Sequence, residues 1–417
     1  MSLSEFETRA RTWMTDTLAR LSFTVRDDEY DVSVFHDLPE DEERALLDRH
    51  RTWQREKFDA GYGALGWPSE YGGTETGTDV AEAFARIENE LCPLPPHELV
   101  SVTLHLIAPT IRLLGTDEQK QQFLPRMLRG ELLACQLFSE PDAGSDLANL
   151  GTRAVRDGDD WIVSGQKVWT SGAQFAEWGE LIARTDPDQP KHQGMTAFLI
   201  PLDAPGVEIR PIRQMSGGSS FNEVFLDRVR IPDSLRLGEV GKGWSVALTT
   251  LAFEREGGSN TANVGGQFDQ LVATARRLGR DEDPRVREQL ARVYLRQQLA
   301  AVDLLRDRQA RDGGAAPSAI GSVRKIQWVD KLAAVSDAAR TVLGRNLIAD
   351  TGIPGTYEWN AHVLGAPGYS IAGGSDQIQR NIVAERLLGL PAEARADRGL
   401  TWREARHRVH GRVASGS

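Results

Sequence analysis

The residue order predicts a mostly α-helical protein with a central β domain: helices, then a barrel or sandwich of short antiparallel strands, then helices again. Two patterns predict it. Apolar residues recur at helical spacing through the first third and again after residue 240, whereas the middle third holds short β-branched and aromatic runs separated by turn signals. Length is the third observation, since 417 residues with 40% hydrophobic content support two or three cores rather than one.

Residues 1–130 are read as an all-α domain. The charged run Asp41 to Asp59 carries Leu46, Leu47, Trp53 and Phe58 as apolar insertions, and Val80, Phe84, Ile87 and Leu91 form an amphipathic stripe. Leu104 to Leu114 reads as a buried helix, and Thr116 starts another with acidic residues in its first turn. The stretch Gly61-Tyr-Gly-Ala-Leu-Gly66 matches the letter of the dinucleotide fingerprint. That motif works only between a strand and a helix N-terminus, and here a charged helical segment precedes it, so it is rejected.

Residues 131–240 form the β domain, with runs at Leu132 to Phe138, Trp161 to Ser164, Met195 to Pro201, Val207 to Ile212 and Val224 to Ile231. Turns at Asp157-Gly158, Asp186-Pro187, Ala204-Pro-Gly206, Ser216-Gly-Gly218 and Pro232-Asp233 separate them. Residues 241–391 return to helix at Trp244 to Arg255, Arg285 to Arg308, Ile326 to Leu343 and Gln377 to Leu388. The second of these shows two stripes, Val286/Leu290/Val293 and Leu295/Leu299/Val302. Residues 392–417 are a basic tail with six arginines and two histidines, expected to be disordered or to cover a partner. His407 and His410 have no metal-binding companions there, so no metal site is assigned.

A net charge of −11 argues against nucleic-acid binding, because phosphates need clustered cations. Cys92 and Cys135 are too few for a disulfide framework and read as small buried hydrophobes. The N-terminus lacks an apolar signal region and no run is long enough to span a bilayer, so a cytoplasmic protein without membrane insertion is expected.

Chemistry concentrates in two stretches. Cys135 to Asp146, CQLFSEPDAGSD, leads from an apolar run into small, hydroxyl-bearing and turn-forming residues. Free amide N–H groups and hydroxyls in such a run suit an anion or the polar edge of a planar ring, although a plain polar turn has the same composition. Gly165 to Gly172, GQKVWTSG, puts an aromatic beside hydroxyls at the end of a second strand-like run. With Phe253-Glu-Arg255 and Ala372-Gly-Gly-Ser-Asp-Gln-Ile-Gln-Arg-Asn381, these motifs stand in the order found in acyl-CoA dehydrogenases. The chain resembles that family from about Leu38 to Pro391.

The resemblance implies an N-terminal helical domain, a middle β-barrel and a C-terminal four-helix bundle, with FAD between barrel and bundle. It implies oxidation of an acyl-CoA thioester to the trans-2-enoyl-CoA in lipid or steroid catabolism such as β-oxidation. An electron-transferring flavoprotein or similar acceptor would take the electrons, and the assembly would be a homo- or heterotetramer. Phe138 and Ser139 would lie against the isoalloxazine ring, and Ser145 would contact cofactor or CoA. Trp169 would shield one side of the flavin, Ser171 would hydrogen-bond near N5, and Ser375 and Gln379 would bind the phosphates and adenosine portion. Read without the family, Trp169 is a barrel core residue, Ser171 a turn hydroxyl and Gln379 a helix-surface residue.

The implied reaction needs a base for a weakly acidic α-proton while hydride passes to flavin N5, and a carboxylate serves best where burial raises its pKa. Many relatives carry that Glu in the C-terminal loop, where this chain has Gly373. A smaller group, including isovaleryl-CoA dehydrogenases and some actinobacterial steroid-type enzymes, carries it in a Leu-x-x-Glu-Arg motif. Leu251-Ala-Phe-Glu254-Arg255 matches that motif and makes Glu254 the expected base. Arg255 would lend positive potential to the substrate, and Glu256 would be a surface charge. Gly257 and Gly258 would widen the acyl pocket for a branched or polycyclic group, or else simply end the helix.

Two departures bear on assembly. The family's Gln-x-x-Gly-Gly segment is replaced by Val342-Leu-Gly-Arg-Asn346, leaving Arg276, Arg277 and Arg280 as alternative phosphate ligands. Two further readings therefore stand beside the first: a subunit that needs a partner to complete its flavin site, and a flavin oxygenase or N-hydroxylase on the same fold.

Overall fold

The computed structural model describes residues 2–23, 31–35, 38–256, 264–312, 319–395 and 397–406, with side chains at all of these except 254–256, 307, 308, 311 and 312. Helices come first: α1 (Leu3–Leu21), α2 (Glu40–Asp59), α3 (Thr78–Leu91), the single turn α4 (Glu98–Ser101), α5 (Ala108–Leu114) and α6 (Asp117–Leu128). α1 was not among the expected elements. A capping box between Ser2 and Glu5 starts it, and Phe6, Ala10 and Met14 recur every fourth residue to pack on Trp53, Tyr62, Phe84 and Ile87. Residues 98–114 run as one helix interrupted by a π-helical turn, Val102–Ile107, so the helix expected from Leu104 begins at Glu98. The Gly61–Gly66 stretch is a turn after α2. A Cβ at Gly63 would lie 2.6 Å from the Phe58 backbone nitrogen, so that glycine serves tight backbone packing.

The middle domain is one eight-stranded sheet: β1 (Ala134–Leu137), β2 (Arg153–Asp157), β3 (Asp160–Ser171), β4 (Trp178–Arg184), β5 (Met195–Pro201), β6 (Val207–Ile212), β7 (Phe221–Pro232) and β8 (Arg236–Leu237). Its order is β6-β7-β3-β2-β4-β5-β8, with β1 alongside β4. The pairing is antiparallel, as expected, except that β1 runs parallel to β4 and β2 meets β4 in parallel at Arg153↔Arg184. β3 and β7 slip in register between Lys167 and Thr170. Burial pushes the Cys135 thiol up to about 12 and the Cys92 thiol up to about 11, which makes both poor nucleophiles at neutral pH.

The C-terminal domain comprises α7 (Gly243–Glu256), α8 (Phe268–Arg277), α9 (Pro284–Asp312), α10 (Ile320–Leu343), α11 (Arg345–Ile348), α12 (Trp359–Gly365) and α13 (Asp376–Ile382), the last continuing as a π-helical turn, Val383–Leu387. The two stripes of α9 separate cleanly. Val286, Leu290 and Val293 enter a core with Leu271, Val335, Ala339 and Trp359, while Leu295, Leu299 and Val302 stay exposed with Tyr294 and Leu305. Arg280, expected near cofactor phosphates, instead donates to the Thr341 and Val342 carbonyls at 2.8 and 2.9 Å, and Arg277 donates to Gly355. Orphan carbonyls at the end of α10 take up that charge.

Over residues 397–406 the tail is ordered against the middle domain rather than disordered. The guanidinium groups of Arg184 and Arg406 lie over the Trp402 ring, 5.2 and 5.1 Å from its centroid, and Arg403 pairs with Asp188. Acidic residues on the middle domain attract the basic segment, and the cation–π contacts fix it. His407 and His410 lie outside the described residues. Among the described residues no helix is long and apolar enough to cross a membrane.

Candidate active site

Stretches far apart in sequence meet where the β domain faces the C-terminal helices. β1 ends at Leu137 and hands the chain to Phe138, Ser139 and the turn closed by mutual backbone bonds between Glu140 and Ala143, both 3.0 Å. The Phe138 ring is buried in the core shared by the three domains, so its outward contribution is confined to backbone. Ser139 is half-buried, and its carbonyl accepts from Val168 N at 2.9 Å, tying this turn to β3. Further along, exposed Ser145 lies with its Oγ 3.4 Å from Ser375 Oγ, joining the turn to the start of α13.

A buried ion pair holds the turn from behind. Lys167 Nζ lies 2.8 Å from Glu140 Oε1 and donates to the carbonyls of Phe138 at 3.0 Å and Ile182 at 2.8 Å. The Glu140 carboxylate also accepts from the Gly151 and Thr152 amides. Burial works to raise its pKa, but the Lys167 ammonium and these donors hold it below the ordinary carboxylate value. Both stretches singled out in the sequence contribute one charge to this pair.

Trp169 sits in the β3–β7 irregularity with a φ of +61°, a left-handed backbone rare for a bulky residue. The bulge turns its ring outward, 59% exposed, which excludes the core reading. Phe221 meets it edge-on at 6.0 Å, and contacts continue through Phe35 and Tyr369 to Trp328 on α10 at 5.2, 4.9 and 4.4 Å. Ser171, at the end of β3, is half-buried.

On the helical side Gln379 is buried, not at the helix surface. Its Nε2 donates to the Gly373 carbonyl at 2.8 Å, while its Oε1 has no partner. Gly373 and Gly374 have φ values of +64° and +85°, and a Cβ at Gly374 would lie 2.7 Å from Gln379 Nε2. This loop is built for glycine, so a carboxylate-bearing residue at 373 would be strained. An exposed indole face, strand-end hydroxyls, serines paired across the seam and an orphaned amide oxygen together fit a planar aromatic group with polar edges and a polar extension, which is the chemistry of FAD.

Glu254 and Arg255 lie in the last turn of α7, where side chains are outside the description, as is that of Glu256; Gly257 and Gly258 lie outside the described residues altogether. One turn before Glu254, the Thr250 hydroxyl lies 2.8 Å from Glu180 Oε1 on β4 and 3.0 Å from Thr110 Oγ1 on α5, fastening α7 to both other domains. Burial pushes the Glu180 carboxyl from 4.5 up to about 8, and its Oε2 has no partner.

The folded protein therefore keeps a proton on Glu180 that the unfolded chain releases above pH 4.5, and stability falls as pH rises toward 8. The slope is about 1.4 kcal/mol per pH unit. Glu180→Gln removes that loss. Denaturant titrations at pH 5 and pH 8 should show the variant gaining about 2–4 kcal/mol on the native chain at the higher pH. A pH-independent difference would mean that Glu180 is not held neutral.

Three family models match in order: "Acyl-CoA dehydrogenase, N-terminal domain" over residues 36–131, "Acyl-CoA dehydrogenase, middle domain" over 135–229 and "Acyl-CoA dehydrogenase, C-terminal domain" over 241–388. The chain is 37% identical over 402 residues to "Acyl-CoA dehydrogenase IpdE1" of Mycobacterium tuberculosis, covering 94% of this chain and 99% of that one. It is 43% identical over 339 residues to "Acyl-CoA dehydrogenase FadE34" of the same organism, covering 80% of this chain and 45% of that longer one, so it spans under half of that relative. A solved structure described as "Tcur3481-Tcur3483 steroid ACAD" superposes with a TM-score of 0.73 at 29% identity, covering 94% of this chain and 98% of that one.

Proposed function

Because the chain belongs to the acyl-CoA dehydrogenase family, we propose that it oxidises an acyl-CoA thioester to the trans-2-enoyl-CoA, with Glu254 taking the α-proton. The observation that carries this reading is the meeting of the 139–146, 165–172 and 372–381 stretches at one seam, with the Ser145–Ser375 contact across it. Ser139, Ser145, Trp169, Ser171, Ser375 and Gln379 would hold FAD there, with backbone at Phe138. Bound FAD supplies the hydride acceptor. The glycine-built loop at Gly373 supports placing the base on α7, and the Thr250 anchor gives that helix a fixed position. Arg255 would steady the substrate's negative charge. Gly257 and Gly258 would leave room for a branched or polycyclic acyl group, a reading that agrees with a structural relative described as a steroid ACAD.

Association with another subunit is part of the proposal. The exposed stripe Tyr294, Leu295, Leu299, Val302 and Leu305 on α9 is more apolar surface than a helix leaves to water without reason. A homo- or heterotetramer would cover it, and the paired names in the structural relative's description favour a second, homologous chain. An electron-transferring flavoprotein or similar acceptor would then draw off the electrons.

The test is spectroscopic. The purified protein should show a flavin spectrum, and an acyl-CoA should bleach it under anaerobic conditions. Flavin that is retained only after co-expression with a homologous chain would establish the heteromeric form. A flavin that no acyl-CoA bleaches, but that turns over with oxygen and an amine, would replace the dehydrogenase reading with the oxygenase one. Comparing isobutyryl-, octanoyl- and steroid-side-chain CoA esters tests the pocket, and preference for octanoyl would rule out the wide one.

A further inference from the structure

Ser145 stands exposed at the seam, and a Cβ on the neighbouring Gly144 would meet no described atom within 4 Å. What fixes the chain on either side of it comes from the far end of the sequence. Residues 397–406 lie against the middle domain, with backbone bonds from Trp402 N to the Gln189 carbonyl at 2.9 Å and from Arg403 N to the Pro187 carbonyl at 3.1 Å. Three side chains of this segment hold the stretch around Ser145, one of them through a lysine. The Trp402 indole donates to the Asn149 carbonyl at 3.2 Å, and the Arg406 guanidinium pairs with Asp142 at 3.5 Å. Lys191, between β4 and β5, ties Asp146 at 2.8 Å to Asp397 at 2.5 Å. Arg184, whose guanidinium lies over the Trp402 ring, donates in turn to the Ala148 carbonyl at 2.6 Å. The contacts at Asp142, Asp146 and Asn149 therefore bracket Ser145 from both sides.

We infer that residues 397–406 are a strap that positions the Ser145 turn to receive a phosphate-bearing arm, that of FAD or that of the acyl-CoA. This rests on the reading of the seam as the flavin and acyl-CoA site. FAD and CoA share the chemistry of a diphosphate arm that extends away from the reacting atoms. An exposed turn binds such an arm only as well as it is held beforehand, since ordering a loop at the moment of binding subtracts from affinity. The charges argue the same way. Asp142 and Asp146 flank Ser145 and by themselves would repel phosphate. Arg406 and the bridged Lys191 set one cation against each of these carboxylates. The plain alternative is a tail that only covers the middle domain and adds stability. That role has no need to bracket one exposed serine, and it would lower Tm without moving affinity for either molecule.

The test uses the full-length holoenzyme, isolated with its partner subunit if it has one. Trp402→Ala removes the indole bond and both cation–π contacts, and trypsin should then cleave after Arg403 faster than in the native protein. Either the KM for acyl-CoA or the Kd for FAD should rise about tenfold, the scale of one hydrogen bond to a charged group. With FAD saturating, kcat should stay within about twofold, because neither the base nor the hydride acceptor is touched. A raised KM beside a native FAD Kd assigns the arm to CoA, and the reverse assigns it to FAD. Trp402→Phe keeps an aromatic ring for the two guanidinium groups and should return most of the lost affinity. Should Trp402→Ala fail to fold, Asp397→Asn combined with Arg406→Ala loosens the strap without touching the ring. Fast cleavage beside a native KM and a native FAD Kd would overturn the inference and leave the dehydrogenase reading standing. Native cleavage in both variants would overturn it as well, since the contacts named would not be what holds the segment. A native holoenzyme that no acyl-CoA bleaches would instead remove the dehydrogenase reading, and the FAD Kd alone would then decide the strap.

Discussion

Replacing Glu254 by glutamine is expected to slow acyl-CoA oxidation by a factor of roughly 100 to 10,000, the range a positioned general base contributes, while flavin content stays at its native level. The amide keeps the size of the side chain and loses only its basicity, so substrate binding should change far less than turnover, and kcat and kcat/KM should fall together. A base must sit across the substrate from the hydride acceptor, because the proton and the hydride depart toward different groups. Stopped-flow bleaching by an acyl-CoA reads the loss directly. Near-native bleaching rates in Glu254→Gln would remove the base from position 254.

The helices-strands-helices order was legible because hydrophobic period changes twice along the chain, and period survives tertiary context. α9 shows both the strength and the limit of that signal. Its two apolar stripes were visible in the sequence, yet nothing in the residue types told the buried Val286/Leu290/Val293 from the exposed Leu295/Leu299/Val302. Only packing against α8 and α10 separates them. α1 escaped notice because its stripe is thin, with charged and polar residues between Phe6, Ala10 and Met14.

In the site, the residues alone suggest a core place for Trp169 and the family resemblance a place against the flavin; its left-handed backbone belongs to a bulge, which depends on the register of β7 and leaves no local mark. For Gln379 the sequence suggests a cofactor ligand or a surface group, whereas its buried amide braces the Gly373–Gly374 loop. The Glu140–Lys167 pair had a signal that could have found it: opposite charges in two motifs that were both expected at one ligand.

Lys167→Met should be the most damaging single substitution at that turn. It leaves Glu140 charged, nine-tenths covered and deprived of its ammonium partner, a situation that costs about 3–5 kcal/mol where buried pairs are broken on one side. It also frees the Phe138 and Ile182 carbonyls, so the turn carrying Ser139 loses its fixed distance from β4. Two effects should appear together, a lower Tm and a loss of bound flavin on gel filtration. Exposed pairs such as Arg403–Asp188 are worth at most about 1 kcal/mol, so Arg403→Ala is the control that should keep its flavin. Glu140→Gln added to Lys167→Met should restore part of the Tm, because no buried charge then stands alone, while flavin retention stays low since the Phe138 carbonyl remains unheld. A double variant no more stable than Lys167→Met would show that the pair's electrostatics are secondary and that the two carbonyl-directed bonds of the ammonium alone hold the turn. Full flavin binding in Lys167→Met would separate the turn from the cofactor altogether. Stability and binding are thus read on different contacts of one ammonium: the charge of Lys167 answers to Glu140, and its other hydrogen bonds answer to the backbone that Ser139 hangs from.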